Sequence, residues 1–242
     1  MMRIRKYDAE LLAKDLILKS VLTCLLPPPP LAAKKSLFSL ATTEGIGYKN
    51  GNKAHGMKFM FIDITRAYYY AKARRRIFIQ LPDGDREPGT CGVLNMSLQG
   101  TRDAAQNLEF EYSEFLTSIG FTKGRASPCL FFKKQCNLRL AVHGDDFTLL
   151  GPINDLHGFQ TEIKKKFETK VRGIIGCEPD DDKSIRILNR VIEWTDRGIE
   201  YEADQRHAEI IVRDAKLGHS AKSVNTPGIK SSATLEGIAK SE

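Results

Sequence analysis

The sequence predicts an α+β fold in which an antiparallel sheet is backed by helices. Short apolar runs of strand length follow one another across turns, which is typical of strands that pair antiparallel with their neighbours in the chain. Longer segments with apolar side chains at helical spacing stand between some of these runs without alternating strictly with them, so a parallel sheet is not favoured. Hydrophobic residues make up 41% and charged residues 28% of the 242 residues, a composition that allows a substantial buried core.

The first strand of the predicted body covers residues 57–64, a nearly continuous apolar run with one carboxylate, Asp63, close to its end. This carboxylate is unusual, because ionised groups are rarely found within buried strands. A short helix is predicted before the strand, over residues 35–43, and two shorter strands are predicted after it, over residues 77–81 and 92–98.

The clearest helix is predicted over residues 101–120, with Thr101 as its N-terminal cap and Gly120 behind its last turn. Its apolar residues recur every three or four positions and share one face: Ala105, Leu108, Tyr112, Phe115, Leu116 and Ile119. Two further helices are predicted over residues 155–167 and 204–217, and the first of them ends in lysines that suit a helix C-terminus.

A hairpin with acidic residues at its tip is predicted in the second half of the chain. The predicted strands there are residues 130–133, 138–143, 147–150, 184–194 and 199–202. Asp145 and Asp146 form the polar interruption between the second and third of these strands, and the last two strands form another hairpin.

Residues 1–34 lack a sustained apolar period and include four successive prolines, so we expect a weakly folded leader. The apolar stretch at residues 17–31 is too short and too broken to cross a bilayer, and no cleavage-site pattern follows it. The five cysteines are scattered without a C-x-x-C pair, which fits a reducing compartment and gives no zinc site. The sequence therefore predicts an intracellular protein that is not secreted and has no membrane partner.

Asp63 and the pair Asp145-Asp146 converge on one edge of the sheet if their strands are neighbours. Such carboxylates repel one another unless a cation neutralises them, and their hard oxygen ligands suit Mg²⁺. Two ions about 3.5–4 Å apart can promote phosphoryl transfer. The pair alone is also ordinary turn chemistry, so the neighbouring sequence has to decide between the two interpretations.

Five segments carry motifs in a fixed order: FIDITRAYYYAKA at residues 61–73, LNMSLQGTRDAA at 94–105, AVHGDDFTLL at 141–150, RILNRVI at 186–192, and Thr226-Pro227. Together they resemble the reverse transcriptase region of Ty1/copia-type retrotransposon Pol polyproteins over residues 35–230. The sequence departs from the family at His143-Gly144, where Tyr-Val is usual, at Leu108, where tryptophan is usual, and at Asn189, where glycine is usual.

The resemblance implies the palm of a right-hand polymerase. It implies a palm with a remnant of fingers over residues 35–193, and the start of a thumb or connection with a tail over residues 194–242. The basic fingers segment of the family has no counterpart before Lys35, so we expect the fingers to be largely missing. The family also implies a longer polyprotein with RNase H and integrase parts.

The resemblance further implies roles for individual residues at the active site. Asp63 and Asp145 would ligate two Mg²⁺ or Mn²⁺ ions, with Asp146 in support. Tyr68 would lie beneath the sugar of an incoming deoxynucleoside triphosphate, where its ring would clash with a 2′-hydroxyl; a tyrosine in the core is the plain alternative. Gln99 and Gly100 would shape the nucleotide pocket.

Other residues would contact an RNA or DNA template-primer duplex. Leu188, Asn189 and Arg190 would lie near the primer terminus, and a run of cations would contact backbone phosphates: Lys72, Arg74, Arg75 and Arg76. The net charge of +7 is compatible with such a polyanionic partner. A solvated charged face is the alternative for the basic run.

The implied function is RNA-directed DNA polymerase activity, in which a primer 3′-hydroxyl attacks a deoxynucleoside triphosphate with the help of magnesium. Three alternatives stay open. The missing fingers would fit a catalytically inactive remnant that binds nucleic acid, the carboxylates would also serve a metal-dependent nuclease, and the chain could be a plain structural domain.

Overall fold

Strands and helices mix along the chain in the computed structural model, which describes residues 3–6, 31–53, 55–85, 87–202 and 205–216. The first half contains β1 (Arg3–Lys6), α1 (Leu31–Ala41), β2 (Lys58–Ile64), β3 (Phe78–Ile79), β4 (Thr90–Val93) and α2 (Ala104–Ser118). The second half contains β5 (Thr122–Lys123), β6 (Leu130–Lys133), β7 (Leu138–His143), β8 (Asp146–Gly151), α3 (Ile153–Lys164), β9 (Thr169–Ile175), β10 (Ser184–Ile187), β11 (Arg190–Thr195), β12 (Gly198–Tyr201) and α4 (Gln205–Asp214). None of the helices in these ranges is long and apolar enough to cross a membrane.

The predicted antiparallel sheet is confirmed. Six strands form the main sheet in the order β5-β6-β7-β8-β2-β9, and each neighbouring pair in it is antiparallel. Two smaller sheets have the orders β1-β4-β3 and β10-β11-β12. The fold is therefore mixed α and β with antiparallel sheets, as the hairpin pattern predicts.

Strand β2 lies inside the main sheet, between β8 and β9, and is covered on both faces. Met60 and Ile62 belong to a cluster formed with the buried sides of α2 and α3, which includes Tyr112 and Phe159. Alternate β2 residues such as Phe61 point to the opposite face and pack in a second cluster with α1, β10 and β11. Burial on both faces explains why the run at residues 57–64 is apolar without alternation.

The chain divides into two compact units. The larger one contains the six-stranded sheet with α1, α2 and α3 and extends to Tyr201, apart from Leu188–Arg190. Among the described residues, the smaller unit combines Leu188–Arg190 with Glu202 and the segment that contains α4.

Several predicted elements are wrong in their bounds. The single strand predicted over residues 184–194 is two strands, because Leu188 and Asn189 take left-handed conformations with φ of 50° and 62°. The predicted cap of the clearest helix is wrong, since α2 begins at Ala104 and the Thr101 hydroxyl donates instead to the Leu98 carbonyl at 2.8 Å. The helix predicted over residues 35–43 begins earlier, at Leu31.

Strand β9 was not predicted, although it adds the strand beside β2 that completes the sheet around Asp63. Its sequence, TKVRGII, places charged Lys170 and Arg172 among apolar residues and has a glycine directly after Arg172, so it shows no sustained apolar run. The strand supplies a residue of the site described next.

Candidate active site

The strand register places two of the predicted acidic residues directly opposite each other. Asp63 of β2 pairs with Asp146 of β8, His143 of β7 pairs with Asp146 from its other side, and Lys170 of β9 pairs with Asp63. Directly paired residues point to the same face of an antiparallel sheet. These four side chains therefore form a row across one end of the sheet, on the face opposite α2 and α3.

Asp145 joins this row from the hairpin turn between β7 and β8. Gly144 precedes it with φ of 63°, a conformation that glycine adopts without strain at a tight hairpin turn. The Asp145 carbonyl accepts a hydrogen bond from the backbone N–H of Ile64, at 3.0 Å, which ties the hairpin tip to the end of β2. The structure thus brings Asp63, Asp145 and Asp146 to one end of the sheet.

Electrostatic coupling follows from this arrangement. Burial raises the pKa of the Asp146 carboxyl, and the charges of Asp145 and Asp63 raise it further, against the opposing effect of Arg172. The side chain of Asp146 is only 12% exposed, so water screens these charges poorly. The ionised form of Asp146 is therefore costly in the folded protein unless a cation is near.

One such cation is Arg172 of β9. Its Nη2 donates to Asp63 Oδ1 at 2.6 Å and lies 3.8 Å from Asp146 Oδ1. The bond to Asp63 raises the pKa of Arg172, so the guanidinium is firmly charged. Sequence reasoning missed this residue because it missed β9; the alternation of charged Lys170 and Arg172 with apolar neighbours was the available signal.

A second cation near the carboxylates is Lys34 of α1, which is buried with 8% of its surface exposed. Its charge lowers the pKa of Asp146 and also lowers that of His143, whose pKa is depressed mainly by burial. His143 is therefore neutral near pH 7. The sequence placed Lys34 in the predicted leader, so no role was expected for it.

The side chains of Asp63, Asp145 and Asp146 supply oxygen ligands of the kind that magnesium prefers, but they do not surround a common point where an ion could bind. Among the described residues, no group of three or more His, Cys, Asp or Glu side chains is placed to hold a metal. The carboxylate oxygens suit Mg²⁺ or Mn²⁺, but Asp63 is engaged by Arg172. Among the described residues, the buried His143 Nδ1 has no hydrogen-bond partner, and its residue pairs directly with Asp146. Unsatisfied groups of this kind mark a place where a ligand or water can be accommodated.

Tyr68 lies in the segment that follows the acidic end of β2. It sits in a short 3-10 turn, Ala67–Tyr70, and is partly buried against the core. Burial raises the pKa of its hydroxyl, and the negative charge of Asp145 raises it further. Its packing against the core is compatible with the plain alternative as well.

The second motif is held against the first by backbone hydrogen bonds. The Ser97 N–H donates to the Ala71 carbonyl at 2.7 Å, and the Ala73 N–H donates to the Asn95 carbonyl at 3.0 Å. Gln99 and Gly100 follow in an exposed loop, where Gly100 has φ of 90°. Neither residue hydrogen-bonds to the three carboxylates in the described structure.

The predicted basic run divides into anchored and exposed cations. Arg75 Nε donates to Asp103 Oδ1 at 2.9 Å, and the Arg74 guanidinium lies 3.8 Å from the centroid of the Phe110 ring. Both contacts tie the run to α2. Lys72 and Arg76 are exposed and form no ion pair within the part of the chain that the structure describes.

The residues predicted to contact the primer belong to the smaller unit. Leu188 and Asn189 form the turn between β10 and β11, and the Leu188 side chain is 41% exposed. Arg190 begins β11. The predicted Thr226-Pro227 motif lies outside the described residues.

Comparisons with known proteins bear on the origin of the chain. No protein-family model matches it. Over 173 residues, 69% of this chain, it is 22% identical to the retrovirus-related Pol polyprotein from transposon TNT 1-94 of Nicotiana tabacum. The match covers 12% of that protein, so the chain spans a small part of its relative's length. The similarity supports a retrotransposon Pol origin.

Proposed function

We propose that the chain is the palm region of a Ty1/copia-type reverse transcriptase and acts in RNA-directed DNA synthesis. The observation that carries the proposal is the meeting of Asp63, Asp145 and Asp146 at one end of an antiparallel sheet whose other face is covered by two helices. The similarity to a retrotransposon Pol polyprotein supports the same assignment.

In this proposal Asp63 and Asp145 hold two Mg²⁺ or Mn²⁺ ions, and Asp146 supports them from the adjacent strand. When bound, the ions activate an attacking hydroxyl and stabilise charge on departing phosphate oxygens. The hairpin tip presents Asp145 next to Tyr68, whose ring packs beneath the sugar of the deoxynucleoside triphosphate and excludes a 2′-hydroxyl. Gln99 and Gly100 border the nucleotide from their exposed loop.

The proposed nucleic-acid partner is an RNA or DNA template-primer duplex. Lys72 and Arg76 are the cations of the basic run best able to contact phosphates, because Arg74 and Arg75 are engaged by α2. Leu188, Asn189 and Arg190 contact the primer terminus in this proposal. Such contacts give binding that weakens steeply as salt rises and does not depend on sequence.

Primer extension tests the proposal. The 242-residue chain is incubated with a labelled primer on an RNA template, deoxynucleoside triphosphates and Mg²⁺, beside the variants Asp145→Asn and Asp180→Asn. We expect extension by the wild type and by Asp180→Asn, because Asp180 is exposed and is not one of the carboxylates of the candidate active site. Asp145→Asn loses a metal ligand and should reduce extension by at least about a hundredfold.

Equal extension by the wild type and Asp145→Asn would remove these carboxylates from the chemistry. Duplex binding without extension would favour the inactive remnant, whereas Mg²⁺-dependent cleavage of labelled DNA without nucleotides would favour a nuclease. The three outcomes are separated on one gel, because extension lengthens the labelled strand, cleavage shortens it and binding alone leaves it unchanged.

A further inference from the structure

We infer that Arg172 is a built-in counter-ion of the carboxylate site, which holds Asp63 until a divalent cation displaces it and thereby sets the affinity of the site for metal. This inference rests on the proposed function, because it takes the displacing ion to be the catalytic metal. It adds a positioning residue that the sequence motifs did not include.

The geometry of β9 places Arg172 where a metal would otherwise compensate the acids. Its Nη2 donates to Asp63 Oδ1 at 2.6 Å and lies 3.8 Å from Asp146 Oδ1, so one guanidinium reaches carboxylates on two neighbouring strands. Lys170 is opposite Asp63 in the register, and Arg172 is the unpaired residue at a bulge of β9, between the pairs Val171–Ile62 and Gly173–Phe61. The guanidinium is thus directed at the carboxylates by the strand itself.

A divalent ion at Asp63 would lie close to the Arg172 guanidinium, which is within hydrogen-bond distance of the same carboxylate, so the two cations would repel each other and compete for it. This competition explains why the three carboxylates are close while no set of metal donors is preformed in the described residues. Asp63 and Asp146 are therefore paired with an internal cation.

Arg172 can be displaced by a metal ion because its side chain is more exposed than the carboxylate side chain of Asp146. The Asp146 side chain is 12% exposed, whereas that of Arg172 is 40% exposed. A long side chain at that exposure can turn into water and keep its charge hydrated, so its release costs little. The carboxylates stay in place, since Asp63 and Asp146 are fixed by paired backbone strands.

Lys170 offers a matched control for the charge of Arg172. It lies on the same strand, directly opposite Asp63, it is also exposed, and its side chain forms no hydrogen bond or ion pair in the described structure. Replacing either residue by glutamine removes one positive charge from the same surface. Only the change at position 172 removes the competing bond to Asp63.

The experiment is a Mn²⁺ titration of the whole chain followed by electron paramagnetic resonance, which reports free Mn²⁺ directly. We expect the wild type to bind Mn²⁺ and Asp145→Asn to lose most of that binding. Arg172→Gln should bind about tenfold more tightly than the wild type, as expected when a partly exposed charge-assisted bond no longer competes. Lys170→Gln should bind like the wild type to within about twofold.

Thermal unfolding gives a second readout that does not depend on catalysis. Without metal, Arg172→Gln should melt below Lys170→Gln, because the carboxylates lose their bonded cation, and saturating Mn²⁺ should remove that difference. Arg172→Lys, which keeps the charge without the forked donor, should lie between Arg172→Gln and the wild type in both measurements.

The outcomes separate this inference from the proposed function. If Arg172→Gln binds Mn²⁺ no more tightly than Lys170→Gln while the wild type still binds through Asp145, the counter-ion role is refuted and the metal site stands. If neither the wild type nor Arg172→Gln binds Mn²⁺, the counter-ion role and the metal-dependent polymerase fail together.

Discussion

The two ends of strand β2 carry charged side chains of opposite sign, and the protein compensates them differently. At the first end, the Lys58 side chain is 7% exposed, and its ammonium hydrogen-bonds to Glu178 and lies 2.6 Å from Asp181 Oδ1. Although burial lowers it, the bonds to these two carboxylates hold the pKa of Lys58 above its ordinary value. Asp181 also accepts a hydrogen bond from the backbone N–H of Glu178. Lys58, Glu178 and Asp181 are therefore bonded to one another.

At the other end, acids gather around a single bonded guanidinium. Asp63 faces Asp146 across the strands, Asp145 joins them from the hairpin tip, and the Arg172 side chain that bonds Asp63 is 40% exposed. The comparison teaches that burial of charge does not by itself indicate function. The Lys58 group has the contacts of a structural ion-pair network, whereas the carboxylate group has one bonded guanidinium, and that side chain is partly exposed.

The largest effect is expected at the Lys58 end. Lys58→Met leaves the Asp181 carboxylate without its ammonium partner, and removal of one partner from a buried pair costs about 3 kcal/mol. Urea unfolding of Lys58→Met and of Lys170→Met measures this. The exposed control should change the free energy of unfolding by less than about 0.5 kcal/mol. Equal losses in the two variants would mean that the network does not stabilise the fold.

A glycine substitution at each end sharpens the contrast. A Cβ at Gly176 would lie 2.3 Å from Asp181 Oδ2 and 3.0 Å from Lys58 Cγ, so Gly176→Ala should cost about 1–2 kcal/mol by displacing the network. Gly144→Ala, at the carboxylate end, meets open space but has φ of 63°, and should cost about 1 kcal/mol through backbone strain alone.

Double variants measured by the same urea unfolding distinguish these two causes. The cost of Gly176→Ala should shrink when Lys58 is already methionine, because both changes disrupt one network, whereas the cost of Gly144→Ala should simply add to that of Lys58→Met. Additivity in both combinations would contradict the assignment of Gly176 to the Lys58 network.

The smallest change in the free energy of unfolding is expected for a substitution of Asp146, and this change is a gain of stability. Like charges opposite each other on neighbouring strands are destabilising, so Asp146→Asn should raise the free energy of unfolding by about 0.5 kcal/mol near pH 7 in buffer without divalent ions. Urea unfolding in the presence of a chelator measures this. A loss of stability in Asp146→Asn would indicate that the carboxylates are already compensated as fully as those around Lys58.

The pH dependence of the stability difference between Asp146→Asn and the wild type serves as a control for this prediction. Burial, together with Asp145 and Asp63, raises the pKa of Asp146 above the ordinary 3.8, so the folded state holds this proton more tightly than the unfolded state. The stabilising contribution of the protonated carboxyl is present below the ordinary value and is lost as pH rises through the folded pKa. The advantage of Asp146→Asn should therefore be absent near pH 4 and appear by about pH 7.

The part of the fold that sequence alone predicts best is the acidic hairpin. The bounds of β6 and β7 agree with the prediction, because each run of apolar and aromatic residues is bounded by polar turn residues. The approach of Asp63 to the hairpin tip followed from treating the two apolar runs as neighbouring strands, and the register places them side by side. Strong local sequence patterns and one correctly predicted strand pairing were enough to predict that the carboxylates lie close together.

The cations around the carboxylates could not be predicted in the same way. Arg172 comes from a strand whose charged residues and Gly173 hide its extended structure, and Lys34 comes from a helix that begins directly after a proline run. Their positions depend on long-range packing of β9 and α1 against the sheet. Local propensity carries no information about which distant segment will occupy an edge or a face.

The central claim is that Asp63, Asp145 and Asp146 form a two-metal site, and anomalous diffraction from a crystal soaked in Mn²⁺ tests it most directly. We predict two anomalous peaks about 3.5–4 Å apart between Asp63 and Asp145, with the Arg172 guanidinium turned away from Asp63. A map with no peak at these carboxylates, and with Arg172 still bonded to Asp63, would contradict the claim.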